Sequence, residues 1–339
     1  MAIVRDLGNG FNLTDWTAEV STIVNTWGTI GQLGLFQEVP IAEHTVAFET
    51  RNENGGVIVD RVRGDRNNVG KEGVRKIHTF AVPHFPLSDA ILPQDIQGKR
   101  LYGSPDASET LANKRAEKME YIRKAHARTL EVARAQAIVA GTAYAPNGTV
   151  TQNWYTEFGI TRTVQSYALA TSTTDLIAKV EGTIAAIQDN AGLTDMTGMV
   201  TLCSPGWFSQ FIAHNSIRTA YTYFASTQDP LRSRLAAGGS NQAMHRTFDF
   251  GGMQFIEMRD SFNGTPLIPA NEAYAVPLGT DMFKTYFSPA NRFFSVNTLA
   301  EQVYMFESPD MNGSSISIET ESNHISALLR PELCIKLTA

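Results

Sequence analysis

The sequence is poor in the features that announce chemistry. It has two cysteines, Cys203 and Cys334, far apart and without metal-ligand spacing. Neither a disulfide framework nor a zinc site is therefore expected, and both thiols are read as reduced and buried. No apolar run approaches the roughly 18 residues of a membrane span. The opening MAIVRDLGNGFNLTDW lacks the basic-then-apolar pattern of a secretion signal, so an intracellular, soluble protein with no membrane partner is expected. There is no surplus of positive charge either. Lys and Arg number 28 against 34 Asp and Glu, a formal net charge of −6, where a protein that grips nucleic-acid backbones usually carries a basic excess.

The motifs of catalysis are missing too. No G-x-x-x-x-G-K-S/T occurs, and no G-x-G-x-x-G lies between a strand and a helix pattern. The Gly-Gly pairs at 55–56, 238–239 and 251–252 read as turns. No G-x-S-x-G elbow is present. His78 and His84, with Asp89 and Asp95 downstream, fit no tight metal spacing and read as structural. Cys203 precedes Ser204-Pro205 at a strand-to-helix turn, where a thiol could be activated, but the apolar run MVTLCS makes a buried, inert thiol the better reading. Arg63-Gly64-Asp65 reads as a solvated loop tip. No enzyme activity, cofactor or metal is expected.

What is present is a chain of 339 residues with 42% hydrophobic content, enough for about two domains. Residues 1–43 form an arm with a short helix over TDWTAEVSTIVN, capped by Thr14 or Asp15, on which Val20, Ile23 and Val24 share a face. Trp16, Trp27 and Phe36 are its apolar anchors, expected to find their pocket on another subunit. Residues 44–80 form a long hairpin with no consistently apolar face, expected to order only against another surface. Its tip, RVRGDRNNVGKEGVRK, carries Arg61, Arg63, Asp65, Arg66, Lys71, Glu72, Arg75 and Lys76.

Residues 104–141 predict a helix of roughly 55 Å at 1.5 Å per residue. Ser104 caps it, Pro105 opens it and Gly141 ends it. Met119, Ile122, His126, Leu130, Ala133, Ala137 and Ala140 make its inner stripe. Lys114, Arg115, Lys118, Arg123, Lys124 and Arg128 make a basic face, either solvated or turned toward acidic neighbours or packaged nucleic acid. Around the Asn147-Gly148 turn, residues 142–170 read as a hairpin or two short strands. From 172 to about 290 the pattern is that of a compact α/β domain. It begins with a helix whose inner face is Ile177, Val180, Ile184 and Ile187. The buried strand MVTLCS follows, then a helix from Pro205 with Phe208, Phe211 and Ile212 inward. The Gly251-Gly252 hairpin and the strands EAYAVPLG and FKTYFSP complete it. Residues 291–339 return to strands, expected to pair with the 142–165 region.

The block VRGDRNNVGKEGVRKIHTFAVPHFPLSDAILPQDI running into the long helix, the segment MVTLCSPGWFSQF and the ending SALLRPELCIKLTA, in this order, resemble the major capsid (head) proteins of tailed bacteriophages, the lambda-type major capsid protein E family. The resemblance implies an α+β chain of the Hong-Kong-97-type capsid fold. In that fold 1–43 is the N-terminal arm and 44–80 the extended E-loop that lies over an adjacent subunit. Residues 81–169 and 291–339 are the peripheral domain with its spine helix at 104–141, and 170–290 the axial domain. It implies a homo-oligomer of pentamers and hexamers closing an icosahedral shell around double-stranded DNA without sequence-specific binding. Scaffolding, portal and decoration proteins are the implied further partners. The implied location is the virion, assembled in the host cytoplasm. An encapsulin-like compartment shell of the same fold is the alternative. Mixed signs on the hairpin tip suit pairing with a neighbour, each exposed pair contributing about 0–1 kcal/mol.

Overall fold

The computed structural model describes residues 3–6, 12–23, 28–51, 75–102, 108–192, 195–223 and 245–339. Two sheets organise them. The first has seven strands. Its edge strands Ile3–Asp6 and Asn12–Asp15 lead through Tyr304–Pro309 to the 13-residue strand Ile316–Leu328, and on through Phe283–Ser288 to Gln37–Pro40. His84–Ile91 also pairs with Ile316–Leu328, antiparallel, from Ile316↔Ile91 to Asn323↔His84. All neighbours are antiparallel except Phe283–Ser288 with Gln37–Pro40. The expected strand SISIETESN and the apolar run after it are thus one element.

The second sheet has six strands in the order Val164–Ser166, Ile335–Thr338, Glu272–Leu278, Gly198–Cys203, Met253–Glu257, Thr247–Phe250. Helices Leu176–Ala191, Pro205–Ala213 and Asn215–Tyr223 accompany it. Its core is aromatic: Tyr167, Trp207, Phe208, Phe211, Phe248 and Phe255 are all buried. Trp207 stacks on Phe211 at 5.0 Å, and Phe211 on Phe255 at 4.5 Å. Asp175 caps the first helix by accepting from the Ile177 and Ala178 N–H groups. The buried stripe is Leu176, Val180, Thr183, Ile187 and Ala191. The expected face is corrected at Ile177, which is 46% exposed, because the stripe starts one residue earlier.

Sheet membership redraws the expected division of the chain. Phe283–Ser288 belongs to the seven-stranded sheet, while Val164–Ser166 and Ile335–Thr338 belong to the six-stranded one. The last strand goes there because Ile335 and Leu337 alternate inward beside Ala273 and Ala275. The expected pairing of the 291–339 strands with the 142–165 region holds only where this strand meets the one that starts at Val164. Nor do residues 142–170 form a hairpin. A single bridge, Thr142↔Asn153, closes the Asn147-Gly148 turn. Asn153 then caps a helix, Trp154–Phe158, through its side-chain oxygen and the Thr156 N–H, and Gly159 ends it.

The long helix runs Leu111–Ala140, about 45 Å at 1.5 Å per residue. Ser104 and Pro105 lie outside the described residues, and the described cap is Thr110, whose hydroxyl accepts from the Asn113 N–H at 3.2 Å. Gly141 ends the helix at φ 68°, where a Cβ would stand 2.3 Å from the Tyr155 ring. Only glycine meets both demands. Met119, Ile122, His126, Ala133 and Ala137 are buried as expected, but Leu130 is half-buried and Ala140 exposed. Two arginines from elsewhere satisfy orphan carbonyls at helix ends. Arg162 donates to Ile138 and Val139 at the end of the long helix, and Arg330 to Asn190 and Ala191 at the end of the helix Leu176–Ala191.

Candidate assembly surfaces

The arm is built into its own chain. Asn12–Asp15 extends the seven-stranded sheet through Phe306↔Asp15, and the helix Thr17–Thr22 follows, with the Thr17 N–H bonded to Asp15 Oδ1. The Trp16 N–H donates to the Met305 carbonyl at 2.9 Å, and the Arg115 guanidinium lies 4.8 Å from the Trp16 ring centroid. Val20, Ile91, Met119, Ile122 and Met305 complete that cluster. Phe36 is buried in the main core, 5.9 Å from Phe283. The expectation that Trp16 and Phe36 anchor on another subunit is therefore corrected. Their pocket is formed by residues far along the same chain, which sequence proximity cannot reveal. Trp27 and Val24 lie outside the described residues.

The hairpin base corrects a second expectation. Thr45–Arg51 pairs with Arg75–Ala81 in the register Val46↔Phe80 and Phe48↔His78. Those four side chains make one apolar face, laid on Trp154 and Phe158 of the same chain: Phe80 meets the Trp154 ring edge-on at 4.9 Å, and His78 lies 4.9 Å from Phe158. His78 Nδ1 is 2.7 Å from Glu157 Oε1, and this bond holds the Glu157 carboxyl below its ordinary range. Counting His78 as polar hid the face. Of the tip residues, Lys76 Nζ turns back to the Glu157 carbonyl at 3.2 Å, and Arg75 stands 4.0 Å from Glu49 on the partner strand. Arg61, Arg63, Asp65, Arg66, Lys71 and Glu72 lie outside the described residues.

The basic face of the long helix is largely neutralised within the chain. Arg115 forks onto Glu307 at 2.6 and 2.7 Å, and Lys118 reaches both oxygens of Asp89 at 2.7 Å. Lys114 pairs with Glu117 and Lys124 with Glu120 one turn away. Arg123 donates to Gln302 Oε1 at 2.9 Å. Among the described residues Arg128 alone of the six has no partner. The partners Asp89, Gln302 and Glu307 are distant in sequence, which is why the helix read alone looked basic.

Sequence reasoning missed the buried side of this helix. Ala127, Glu131, Arg134 and Ile138 follow a 4-3-4 spacing beside the predicted stripe and are all buried, and that spacing is the signal that could have found them. The Glu131 carboxylate accepts from the Ile30 N–H at 2.6 Å and the Gly31 N–H at 3.0 Å, pinning residues 28–32 to the helix. Gly28, at φ 107°, packs so closely that a Cβ would come 2.8 Å from Glu131 Oε2. Burial pushes the Glu131 carboxyl up to about 7 despite these donors. Arg134 bridges Glu38 at 2.8 Å and Thr285 at 3.3 Å. His126 contacts the Thr320 hydroxyl at 3.0 Å and is lowered to about 4 by burial and by Arg123. His324 is lowered to about 3, chiefly by burial.

This geometry joins elements of the chain to one another. Burial raises both cysteine thiols, and among the described residues no group of three or more His, Cys, Asp or Glu is arranged to hold a metal. No described helix is long and apolar enough to cross a membrane.

The sequence profile described as phage major capsid protein E matches residues 12–339. The chain is 41% identical to the major capsid protein of Pseudomonas phage KPP10, covering 99% of each. It is 27% identical to the major capsid protein of Salmonella phage Felix O1, covering 97% of this chain and 96% of that one. Among solved structures, a subunit of the capsid of Myoviridae phage XM1 superposes with a TM-score of 0.54 at 10% identity, over 94% of this chain and 95% of that one. At that identity the likeness is one of fold, the Hong-Kong-97-type α+β capsid fold. With the profile matched over residues 12–339 and a relative 41% identical along nearly its whole length, the chain belongs to the phage major capsid protein E family.

Proposed function

We propose that this chain is the shell-forming subunit of a tailed-phage head, assembling as pentamers and hexamers into a closed icosahedral shell around double-stranded DNA. The observation that carries the reading is the family match along residues 12–339, reinforced by full-length likeness to proteins that are themselves major capsid proteins. An encapsulin-like compartment shell has no comparable support. In this role the seven-stranded sheet and long helix are the peripheral domain, the six-stranded sheet with its three helices is the axial domain, and the hairpin is the E-loop. The hairpin base, fixed on Trp154 and Phe158, is a rigid mount from which the charged tip reaches a neighbour. Tip charges set register, while affinity comes from repetition around the shell. Four of the long helix's six basic side chains are paired with carboxylates of the same chain, Arg123 donates to neutral oxygens, and among the described residues Arg128 has no partner. DNA is therefore held by confinement rather than by this face. The subunit acts without catalysis, in the host cytoplasm and then in the virion, alongside portal, scaffolding and decoration proteins.

The test is electron microscopy and size-exclusion chromatography of the purified chain, alone and co-expressed with its neighbouring head proteins. Closed shells, or rings of five or six, are expected. A compact monomer under both conditions would overturn the reading.

A further inference from the structure

Against the long helix opens a polar cavity of about 260 Å³, well above the ~10–15 Å³ that admits one water. Arg123, His126 and Arg134 of the helix line it, and Gly31, Glu38 and Gln302 are among the residues that complete its wall. Two guanidiniums meet one carboxylate there. Arg134 donates to Glu38 Oε1 at 2.8 Å and to the Thr285 hydroxyl at 3.3 Å. Arg123 donates to neutral oxygens, Gln302 Oε1 at 2.9 Å and the Ile23 carbonyl at 3.4 Å. Its remaining N–H groups have no partner among the described residues. Burial lowers the Arg123 guanidinium, with Glu38 acting against that shift. Glu131 lies behind Gly28 and Gly31, its oxygens taken by the Ile30 and Gly31 N–H groups, and with a carboxyl that titrates near 7 it supplies less than a full charge. A half-buried cation short of counter-charge is costly, and an anion beside it removes that cost.

The same wall also carries acceptors. Glu38 Oε1 takes the Arg134 bond and Glu38 Oε2 one from the Gln302 amide, which leaves each oxygen a further lone pair. His126 adds another. Thr320 gives its one hydroxyl hydrogen to the Leu87 carbonyl at 2.8 Å, so His126 Nε2 is the donor in its 3.0 Å bond to Thr320. The ring, lowered to about 4, is neutral at pH 7, and its Nδ1 is then a bare lone pair. That nitrogen has no partner among the described residues. A ligand for this cavity therefore needs negative oxygens for the guanidiniums and a hydrogen of its own for the acceptors.

We propose that this cavity binds one inorganic phosphate in a protonated form, its bare oxygens on Arg123 and its P–OH turned to Glu38 or His126 Nδ1. Guanidinium–phosphate bonds are charge-assisted and directional, and Arg123 still has donors to give. Near neutral pH inorganic phosphate keeps at least one hydrogen. Sulfate and the phosphodiesters of nucleic acid have none, so either would set its oxygens against the lone pairs of Glu38 and His126. The hydrogen count thus selects among oxyanions that the charge alone would accept. A bound phosphate would tie the long helix to the edge strand Gln37–Pro40 and to Gln302, three segments far apart in the chain. The site does not depend on the shell-subunit reading.

The experiment is a thermal melt of the full chain at neutral pH in phosphate, sulfate or chloride of equal ionic strength, with equilibrium dialysis of radiolabelled phosphate as the direct readout. One phosphate per subunit is expected. The melt is expected at least about 2 °C higher in phosphate than in sulfate, because a ligand held by the folded chain stabilises it by mass action. Arg123→Gln is expected to lose that difference and to weaken phosphate binding at least about tenfold. Arg128→Gln, an exposed cation of the same helix outside the cavity, is expected to keep both. Glu38→Gln decides the matter where Arg123→Gln fails to fold: it puts an amide in place of an acceptor-only carboxylate and is expected to erase the preference for phosphate over sulfate. Equal stabilisation of the wild type by sulfate, no bound phosphate, or wild-type binding by Arg123→Gln each overturns the proposal. So does a Glu38→Gln variant that keeps the full preference.

Discussion

Against the six-stranded sheet the helix Pro205–Ala213 buries Trp207, Phe208 and Phe211; against the seven-stranded sheet the long helix buries His126, Glu131 and Arg134. The first interface is held by ring contacts with no directional demand. The second is a polar seam: His126 meets the Thr320 hydroxyl and Arg134 that of Thr285 across it, while Thr285–Ser326 and Ser322–His324 contacts join the polar groups within the sheet. An aromatic core tolerates small shifts of its parts. A seam of this kind holds one alignment and loses much if that alignment slips, because each separated polar group is left buried.

Breaking the aromatic side has the largest expected effect. Trp207→Ala is expected to lower unfolding stability by about 3–5 kcal/mol, read as a fall in the denaturant midpoint at constant slope. Loss of under 1 kcal/mol would mean that this core collapses onto the gap.

The polar side is broken by acid. His126 and His324 titrate near 4 and 3 in the fold against 6.5 when free. The unfolded chain therefore binds more protons than the folded one as pH falls below 6.5, and stability drops down to the folded values. For His126 alone the loss amounts to on the order of 3 kcal/mol by pH 4. His126→Gln, which can still bond Thr320, is expected to flatten the decline in denaturant midpoints between pH 6.5 and 4.

Glu131 has the opposite sign. Its carboxyl titrates near 7 in the fold against 4.5, so its contribution is greatest in acid and fades as pH rises from 4.5 to 7. It offsets part of the histidine loss in that window. Glu131→Gln is expected to steepen the acid dependence there by up to about 1.4 kcal/mol per pH unit, and an unchanged slope would mean that Glu131 stays ionised throughout. The smallest effect lies outside both interfaces. Lys124→Ala, which removes the exposed Glu120 pair, is expected to cost about 0.5 kcal/mol or less, a control for the buried changes.

The contrast also explains what could be read from the sequence. The aromatic region was legible because its signals are local: MVTLCS followed by Ser204-Pro205, and the Gly251-Gly252 hairpin between two strands. The long helix announced itself through its spacing and Gly141. Its seam did not, because Glu131 and Arg134 look like surface charges until Ile30, Gly31, Glu38 and Thr285 arrive from distant segments. Trp16 needed Met305 and Arg115 to show that its pocket was internal, and Phe48 and Phe80 needed Trp154 and Phe158. Order and family were legible in local patterns, while many partners of the charged and aromatic residues come from segments far away in the chain.

The parallel pairing of Gln37–Pro40 with Phe283–Ser288 has a consequence in time. It closes one of the longest loops in the chain, and the entropy of that closure is met before the contact rewards it. Sheets dominated by such distant pairings form in milliseconds to seconds rather than microseconds. During that interval strands at both ends of the chain present open edges. A capsid subunit is then most vulnerable to wrong association just before it becomes competent for the right one.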